Sequence, residues 1–394
     1  MVIFIFFISI PCLFFILVEV GLRLAKIDTE FIKSKHLKVV TPIWAANDIN
    51  FFATRGIYRD ILDNNFPVQA ANWMRYFEEA PYVGYRMKPD LNIRIFNTIN
   101  KREVTKGHKV SIYSNSLGFR SPEIPLKKES GNYRIVFIGD STTFGWGVNQ
   151  DERFSELLQK RLNDEAKCNR FEIINLGIPG YTSLHALHSF TCFAIPYSPD
   201  LVICSFGAND SKPITKNGKK ILKKSGRMER LRYFLLKFKT YQLLRKWMVK
   251  RVNPFDRLGK PGNIEKTEPV ASIFEFTQNL QAIIEQARRH HTRVAFLSLC
   301  CPIDYWETMS KVARENDLPF IDGMNVLIRG VEPVSTGKRF PEMAAALRTL
   351  MGSRALSRIP MLYTTSDTCH PNAIGHRLLA DEIYDRLFVS GGDF

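Results

Sequence analysis

No CxxC pair and no zinc-like spacing links the seven cysteines of this 394-residue chain, which argues against a structural metal site. Cys300 and Cys301 are adjacent and Cys204 sits in an apolar run, a pattern of buried thiols rather than ligands. Cysteine usage therefore leaves the redox compartment open. Charge is missing from the first 18 residues, MVIFIFFISIPCLFFILV. No basic residue precedes this run and no Ala-x-Ala cleavage pattern follows it. Cys12 lacks the small preceding residue of a lipoprotein site. At 1.5 Å per residue the run spans roughly 27 Å, close to a bilayer core, so the expectation over 1–26 is an uncleaved single-pass anchor. Arg23, Lys26, Lys33 and Lys35 all follow the span, and the positive-inside rule alone would leave the remaining chain in the cytoplasm.

What is present is an ordinary globular composition, 45% hydrophobic and 24% charged, long enough for a sizeable core. The net charge of +16 is uneven. Between Lys212 and Lys260, seventeen Lys/Arg stand against Glu229 and Asp256, a local +15. The rest is near neutral, so the charge marks one segment and is no nucleic-acid signature. Residues 40–130 lack long helical periodicity. Residues 72–77 (NWMRYF) suggest a short helix, and 91–96 and 109–113 alternate as short strands. Turn chemistry accounts for Gly84, Pro89, Asn115 and Gly118. Arg120, at the end of NSLGFR, is a candidate to reach a site crevice. A polar linker over 122–132 then leads into the main domain.

That domain is organised around 133–147, YRIVFIGDSTTFGWG. An apolar run closed by glycine suits a central parallel strand carrying a site at its C-terminal end. Ser141 there is placed as a nucleophile or as a cap of a turn or helix, the next long helix being expected from about residue 151. Strand and helix then alternate, predicting a parallel sheet covered on both faces. Strands are expected at 171–176, 201–206, 293–299 and 319–321, and helices at 152–162, 182–195, 270–289, 305–315 and 373–388. Pro371 suits a first helical turn.

Three strands end in related motifs: GDS at 139–141, NLGIPG at 175–180 and GAND at 207–210. A fourth, DxxHPN, occupies 367–372. An acyl-transfer serine needs a base, an orienter for the base and donors for the oxyanion. Ser141 is the candidate nucleophile. His370, with a reference pKa near 6.5, is the candidate base. Asp367, three residues earlier, can turn back to hold the imidazole tautomer. Gly177 permits close backbone approach, and Asn209 supplies an uncharged donor. Each has a plainer reading: Asn209 as a turn residue, His370 and Asp367 as caps of the last helix. Asp140 is expected to brace the loop, with Asp210 bonding to it. His376 is expected on a helix face beside the site, and His185 and His188 as surface or packing groups.

The order and spacing of the four blocks over about 133–390 resemble the SGNH (GDSL-type) hydrolase superfamily. EVGLRL at 19–24, VGYRMKP at 83–89 and NSLGFR at 115–120 resemble a membrane-anchored bacterial branch of it. The resemblance implies a three-layer α/β/α, flavodoxin-like parallel sheet with an N-terminal transmembrane helix and a small β-containing extension. It also implies an oxyanion hole from the Ser141 N–H, the Gly177 N–H and the Asn209 side chain, and a catalytic domain outside the cytoplasm. The motif differs from the GxSxG elbow, since GDST lacks the preceding Gly-x step. The expected division is an anchor over 1–26, an extension over 27–130 and a hydrolase domain over 131–394.

Residues 212–262 form a basic insertion. Within it, 228–251 places Leu231, Leu235, Phe238, Gln242 and Leu243 near one stripe among Lys and Arg. This predicts one or two amphipathic helices, serving as a cap over the domain, a membrane-surface element or a binder of an anionic polymer. A second insertion is expected over 329–358. The function implied is a serine esterase acting on an O-acyl, in particular O-acetyl, ester of an envelope carbohydrate or lipid. An O-acyltransferase and a non-catalytic envelope scaffold are the alternatives. No metal or organic cofactor and no nucleic-acid partner is implied, and oligomeric state stays open.

Overall fold

The computed structural model describes residues 2–33, 40–42, 75–96, 109–166, 170–215, 219, 227–251, 267–345, 362–363 and 369–389, with side chains described from residue 10 onwards in the first segment. The chain divides into two compact units: Met1–Tyr85 with Ile214–Lys266, and Arg86–Pro213 with Thr267–Phe394.

In the first unit a helix runs Val2–Leu24. Among the described residues, no helix is long and apolar enough to cross a membrane. The side chains of residues 1–9, on which the anchor expectation depends, lie outside the described residues. The basic insertion supplies two helices, Arg227–Leu235 and Lys239–Arg251. Of the predicted stripe, Leu235, Phe238 and Gln242 are half-buried, while Leu231 and Leu243 are exposed. The side chain turned inward is Arg245, which joins Arg232 in an ion-paired clamp on Glu79. Tyr233 donates to the Ala80 carbonyl at 2.6 Å. Glu79 and Ala80 belong to a strand, Phe77–Ala80; Arg75 and Tyr76 before it form a 3-10 turn, and residues 72–74 lie outside the described residues. Glu19 accepts hydrogen bonds from the backbone N–H groups of Lys239 at 2.9 Å and Thr240 at 3.0 Å. An anionic group there satisfies donors left open in a first helical turn and suits the helix dipole. Arg23 donates to the Lys237 carbonyl at 2.7 Å, and the Phe15 and Phe238 rings meet edge-on at 5.6 Å.

The second unit holds a five-stranded parallel sheet. Its strands are β1 (Asn132–Gly139), β2 (Arg170–Asn175), β3 (Leu201–Ser205), β4 (Arg293–Ser298) and β5 (Phe320–Asp322). Their order is 2-1-3-4-5, with every neighbouring pair parallel. This is the flavodoxin-like order, with its switch point between β1 and β3. The connecting helices are α1 (Ser141–Phe144), α2 (Phe154–Glu165), α3 (Ser183–Ser189), α4 (Ile273–Arg289), α5 (Ile303–Glu315), α6 (Gly323–Ser335) and α7 (Ala373–Tyr384).

Alternation along each strand explains why the runs are apolar throughout. Ile135, Phe137, Ile173, Ile203, Ala295 and Leu297 join Phe154 and Leu158 of α2, Leu327 of α6 and Leu378 of α7 in one core. The intervening Val136, Ile138, Val202, Cys204 and Phe296 are also fully buried, so the sheet is covered on both faces. Deviations from the expected elements are local. Arg329 lies inside α6, residues 341–345 are helical, and residues 346–361 fall outside the described set. Pro371 stands before Asn372, the N-cap of α7. A hairpin pairs Asn92–Phe96 with Lys109–Tyr113 as the alternation predicts.

Candidate active site

The first strand stops at Gly139 and a four-residue helix begins at once; the long helix expected from about residue 151 follows as α2 from Phe154. Asp140 is the N-cap of α1, its Oδ1 accepting from the Thr142 N–H at 2.9 Å and the Thr142 hydroxyl at 2.8 Å. Ser141 is thus the first helical residue, at the C-terminal end of the central strand beside the switch point, where open α/β sheets bind ligands. Arg120 does not reach the crevice. Completely buried, it donates to the carbonyls of Phe144, Gly145, Val148 and Ser111 at 2.7–3.1 Å. It holds the loop leaving the serine turn.

His370 arrives from a residue 229 positions away, and its Nε2 lies 2.8 Å from Ser141 Oγ. Its loop is pinned on the C-terminal side. The Asn372 N–H donates to the Leu362 carbonyl at 2.8 Å, Pro371 bridges to Tyr363, and Asn372 Oδ1 accepts from Ile374 and Gly375 N–H groups at 3.1 Å. Asp367, the expected orienter, lies outside the described residues.

The expected oxyanion donors are differently engaged. Among the described residues the Ser141 N–H meets no protein acceptor. The Gly177 N–H donates to Asn175 Oδ1 at 2.9 Å. A Cβ on Gly177 would stand 2.5 Å from the Phe144 nitrogen and 2.8 Å from the Thr143 carbonyl carbon, so this backbone passes directly beneath the serine turn and only glycine fits. Asn209 Nδ2 donates to Asp140 Oδ2 at 3.0 Å and to the Tyr181 carbonyl at 3.1 Å. Ser141, Asp140, Gly177, Asn209 and His370 therefore converge on one strand end.

Charge around this cluster is set by burial. Asp210, fully enclosed, accepts from the Ser183 N–H and hydroxyl and from the Gly207 N–H. Burial raises its pKa to about 6 against the pull of those donors. It fastens the start of α3 to the GAND loop. His376 is also enclosed. Its Nδ1 accepts from the Phe154 N–H at 3.2 Å, and burial, with the nearby Arg153 and Arg120 charges, lowers its pKa to about 3. It is a neutral packing group. No group of His, Cys, Asp and Glu suited to a metal ion occurs among the described residues.

Two features escaped the sequence reading. Asn175 is one: its Nδ2 donates to the Thr143 carbonyl at 2.8 Å and to Ser155 Oγ at 2.9 Å, tying β2 to the serine turn. The signal was its place at the head of the NLGIPG block. The other is a disulfide between Cys300 and Cys369, which corrects the expectation of buried thiols for this pair. Cys12, Cys192, Cys204 and Cys301 are free.

The profile of the GDSL-like Lipase/Acylhydrolase family matches residues 137–378, more than half of the chain. Esterase TesA of Pseudomonas aeruginosa is 31% identical over 85 residues, 22% of this chain and 41% of that protein, so the match spans less than half the relative's length. Among solved structures, esterase EstA from Pseudoalteromonas sp. is 17% identical, covering 66% of this chain and 99% of its own at a TM-score of 0.39. The acetylxylan esterase Axe2 from Geobacillus stearothermophilus is 13% identical, covering 65% and 94% at 0.38. The family match coincides with the strands and loops that bring Ser141 and His370 together, and the chain belongs to the GDSL-like Lipase/Acylhydrolase family.

Proposed function

We propose that this chain is a membrane-tethered serine esterase that removes O-acyl groups, acetyl in particular, from an envelope carbohydrate or lipid. Ser141 Oγ attacks the ester carbonyl while His370 Nε2 takes its proton. The oxyanion is received by the Ser141 N–H, with Gly177 and Asn209 as further donors once an oxygen competes for their hydrogens. The intermediate collapses, His370 protonates the departing alcohol, and an acyl-serine remains. Water, deprotonated by His370, then releases the acid and restores Ser141. Asp367 is assigned the orientation of the imidazole by its place three residues ahead of His370. The observation that carries this reading is the 2.8 Å contact between His370 Nε2 and Ser141 Oγ, within the range a general base needs.

The test is hydrolysis of nitrophenyl esters of increasing chain length by the full chain in detergent, beside its Ser141→Ala form. A loss of at least roughly a hundredfold in the variant is expected, since a nucleophile supplies several kcal/mol of transition-state stabilisation. Equal rates in both would reject the assignment. Preference for acetyl over longer chains tests the acyl class.

The tether rests on the uncharged first 18 residues of the sequence. The exposed Trp247, Met248 and Leu244 beside the basic residues of the insert support contact with an anionic lipid surface. The disulfide supports a location outside the cytoplasm, because disulfides persist in oxidising compartments. Retention of the chain with membranes after an alkaline carbonate wash, and protease access from outside the cell, test both points.

A further inference from the structure

The residue immediately before His370 is covalently bound to a different part of the fold. Cys369 is joined to Cys300, with Cα atoms 4.8 Å apart at a sequence separation of 69. Cys300 stands two residues beyond the end of β4, a central strand of the sheet, in a left-handed backbone conformation (φ 54°). Its successor, Cys301, packs towards Gly207: a Cβ on that glycine, whose φ is 116°, would meet Cys301 Sγ at 2.2 Å. The β4 exit is thus wedged against the GAND loop that carries Asn209. The α7 cap and the 362–363 bridge hold His370 from its C-terminal side. The bond to Cys300 holds it from the other side and ties it to the sheet that also carries Ser141.

We propose that the Cys300–Cys369 disulfide is the positioning element of the Ser141–His370 pair, so that activation of the serine depends on the oxidised state of this bond. Opening it requires a dithiol. One thiolate attacks a disulfide sulfur to give a mixed disulfide, and the second thiol resolves it. The dithiol leaves oxidised, and two electrons and two protons end on Cys300 and Cys369 as thiols. His370 then loses its fixed link to β4. A general base acts only within about 2.6–3.2 Å of its proton, and a displacement of about 1 Å can cost roughly a hundredfold. The neighbouring thiol does not scramble the pairing, because burial pushes the Cys301 pKa up and a protonated thiol is a poor nucleophile.

The experiment measures Ser141 labelling by a fluorophosphonate, which needs only the serine and its base, together with kcat and KM for nitrophenyl acetate. The full chain is compared as purified, after dithiothreitol, and after reoxidation, with alkylation and mass spectrometry counting thiols at 300 and 369. The proposal expects labelling and kcat to fall at least about tenfold on reduction, with KM within threefold, and to recover on reoxidation. The Cys300→Ser, Cys369→Ser double variant should match the reduced enzyme and ignore dithiothreitol. Should that variant not fold, the reduction series on the native chain still decides. Unchanged labelling and kcat with both thiols exposed would overturn the proposal, including the case in which only the melting temperature falls. So would a purified chain that is active with both cysteines free. Absence of labelling in every state would instead remove Ser141 as the nucleophile, and this proposal with it.

Discussion

Asp140 Oδ2 accepts a hydrogen bond from Asn209 Nδ2 at 3.0 Å, so the residue that caps the serine turn also holds a donor expected to face the oxyanion. Both Asn209 N–H groups are engaged, the second with the Tyr181 carbonyl. An oxyanion recruits Asn209 only by displacing one of these acceptors. Asn209→Ala is expected to lower kcat by about 10²–10³-fold with little change in KM, the usual cost of an oxyanion donor. A fall of less than threefold would reduce Asn209 to a brace for the loop.

Arg120 answers four carbonyls with one guanidinium. Arg120→Met strands those acceptors in a buried setting, and an expected loss of about 3–5 kcal/mol follows from breaking a buried charged network. Arg120→Lys keeps the charge but not the planar fork and should recover less than half of that. Urea unfolding at pH 7 measures both. Equal stability of the Met variant and the parent would contradict the bracing role.

Acid should act through His376. Its native pKa is about 3, below the unfolded value near 6.5, so the unfolded chain binds the proton first. The stability held by the neutral ring is fully present above about pH 6.5 and drains away as pH falls towards 3. At pH 4.5 the loss is about 2–3 kcal/mol, at 1.36 kcal/mol per unit. His376→Phe should flatten this part of the curve, read as the urea midpoint between pH 7 and 4.5.

Asp210 runs the other way. Its native pKa is raised to about 6, above the unfolded value near 3.9. Its contribution is therefore full below about pH 4 and is lost as pH rises through 6. Relative to the parent, Asp210→Asn should gain about 3 kcal/mol between pH 4 and 7. A constant difference across that range would mean Asp210 is ionised throughout.

The sheet was readable because its strands are buried on both faces, which writes unbroken apolar runs ending in glycine. Three of these ends carry the blocks that hold Ser141, Gly177 and Asn209, while His370 lies in the separate DxxHPN block before the last helix. Where contacts couple distant segments, local pattern fails. Cys300 and Cys369 pair across 69 positions, and no spacing rule selects that partner. Four residues of α1 are too few to show a helical period, which hid the cap made by Asp140. In the insert, a carboxylate from another strand, Glu79, buries Arg245, a pairing that local periodicity does not announce.

Glu19 gives the N-terminal helix a duty besides any anchoring. Its carboxylate completes the first turn of the second insert helix through Lys239 and Thr240, and Arg23 reaches the turn between the two insert helices. A recombinant chain begun near Ile27 for solubility would strip these partners away and leave that turn's donors to water. Failure of such a shortened protein would point to a damaged first unit and would leave the chemistry at Ser141 untouched.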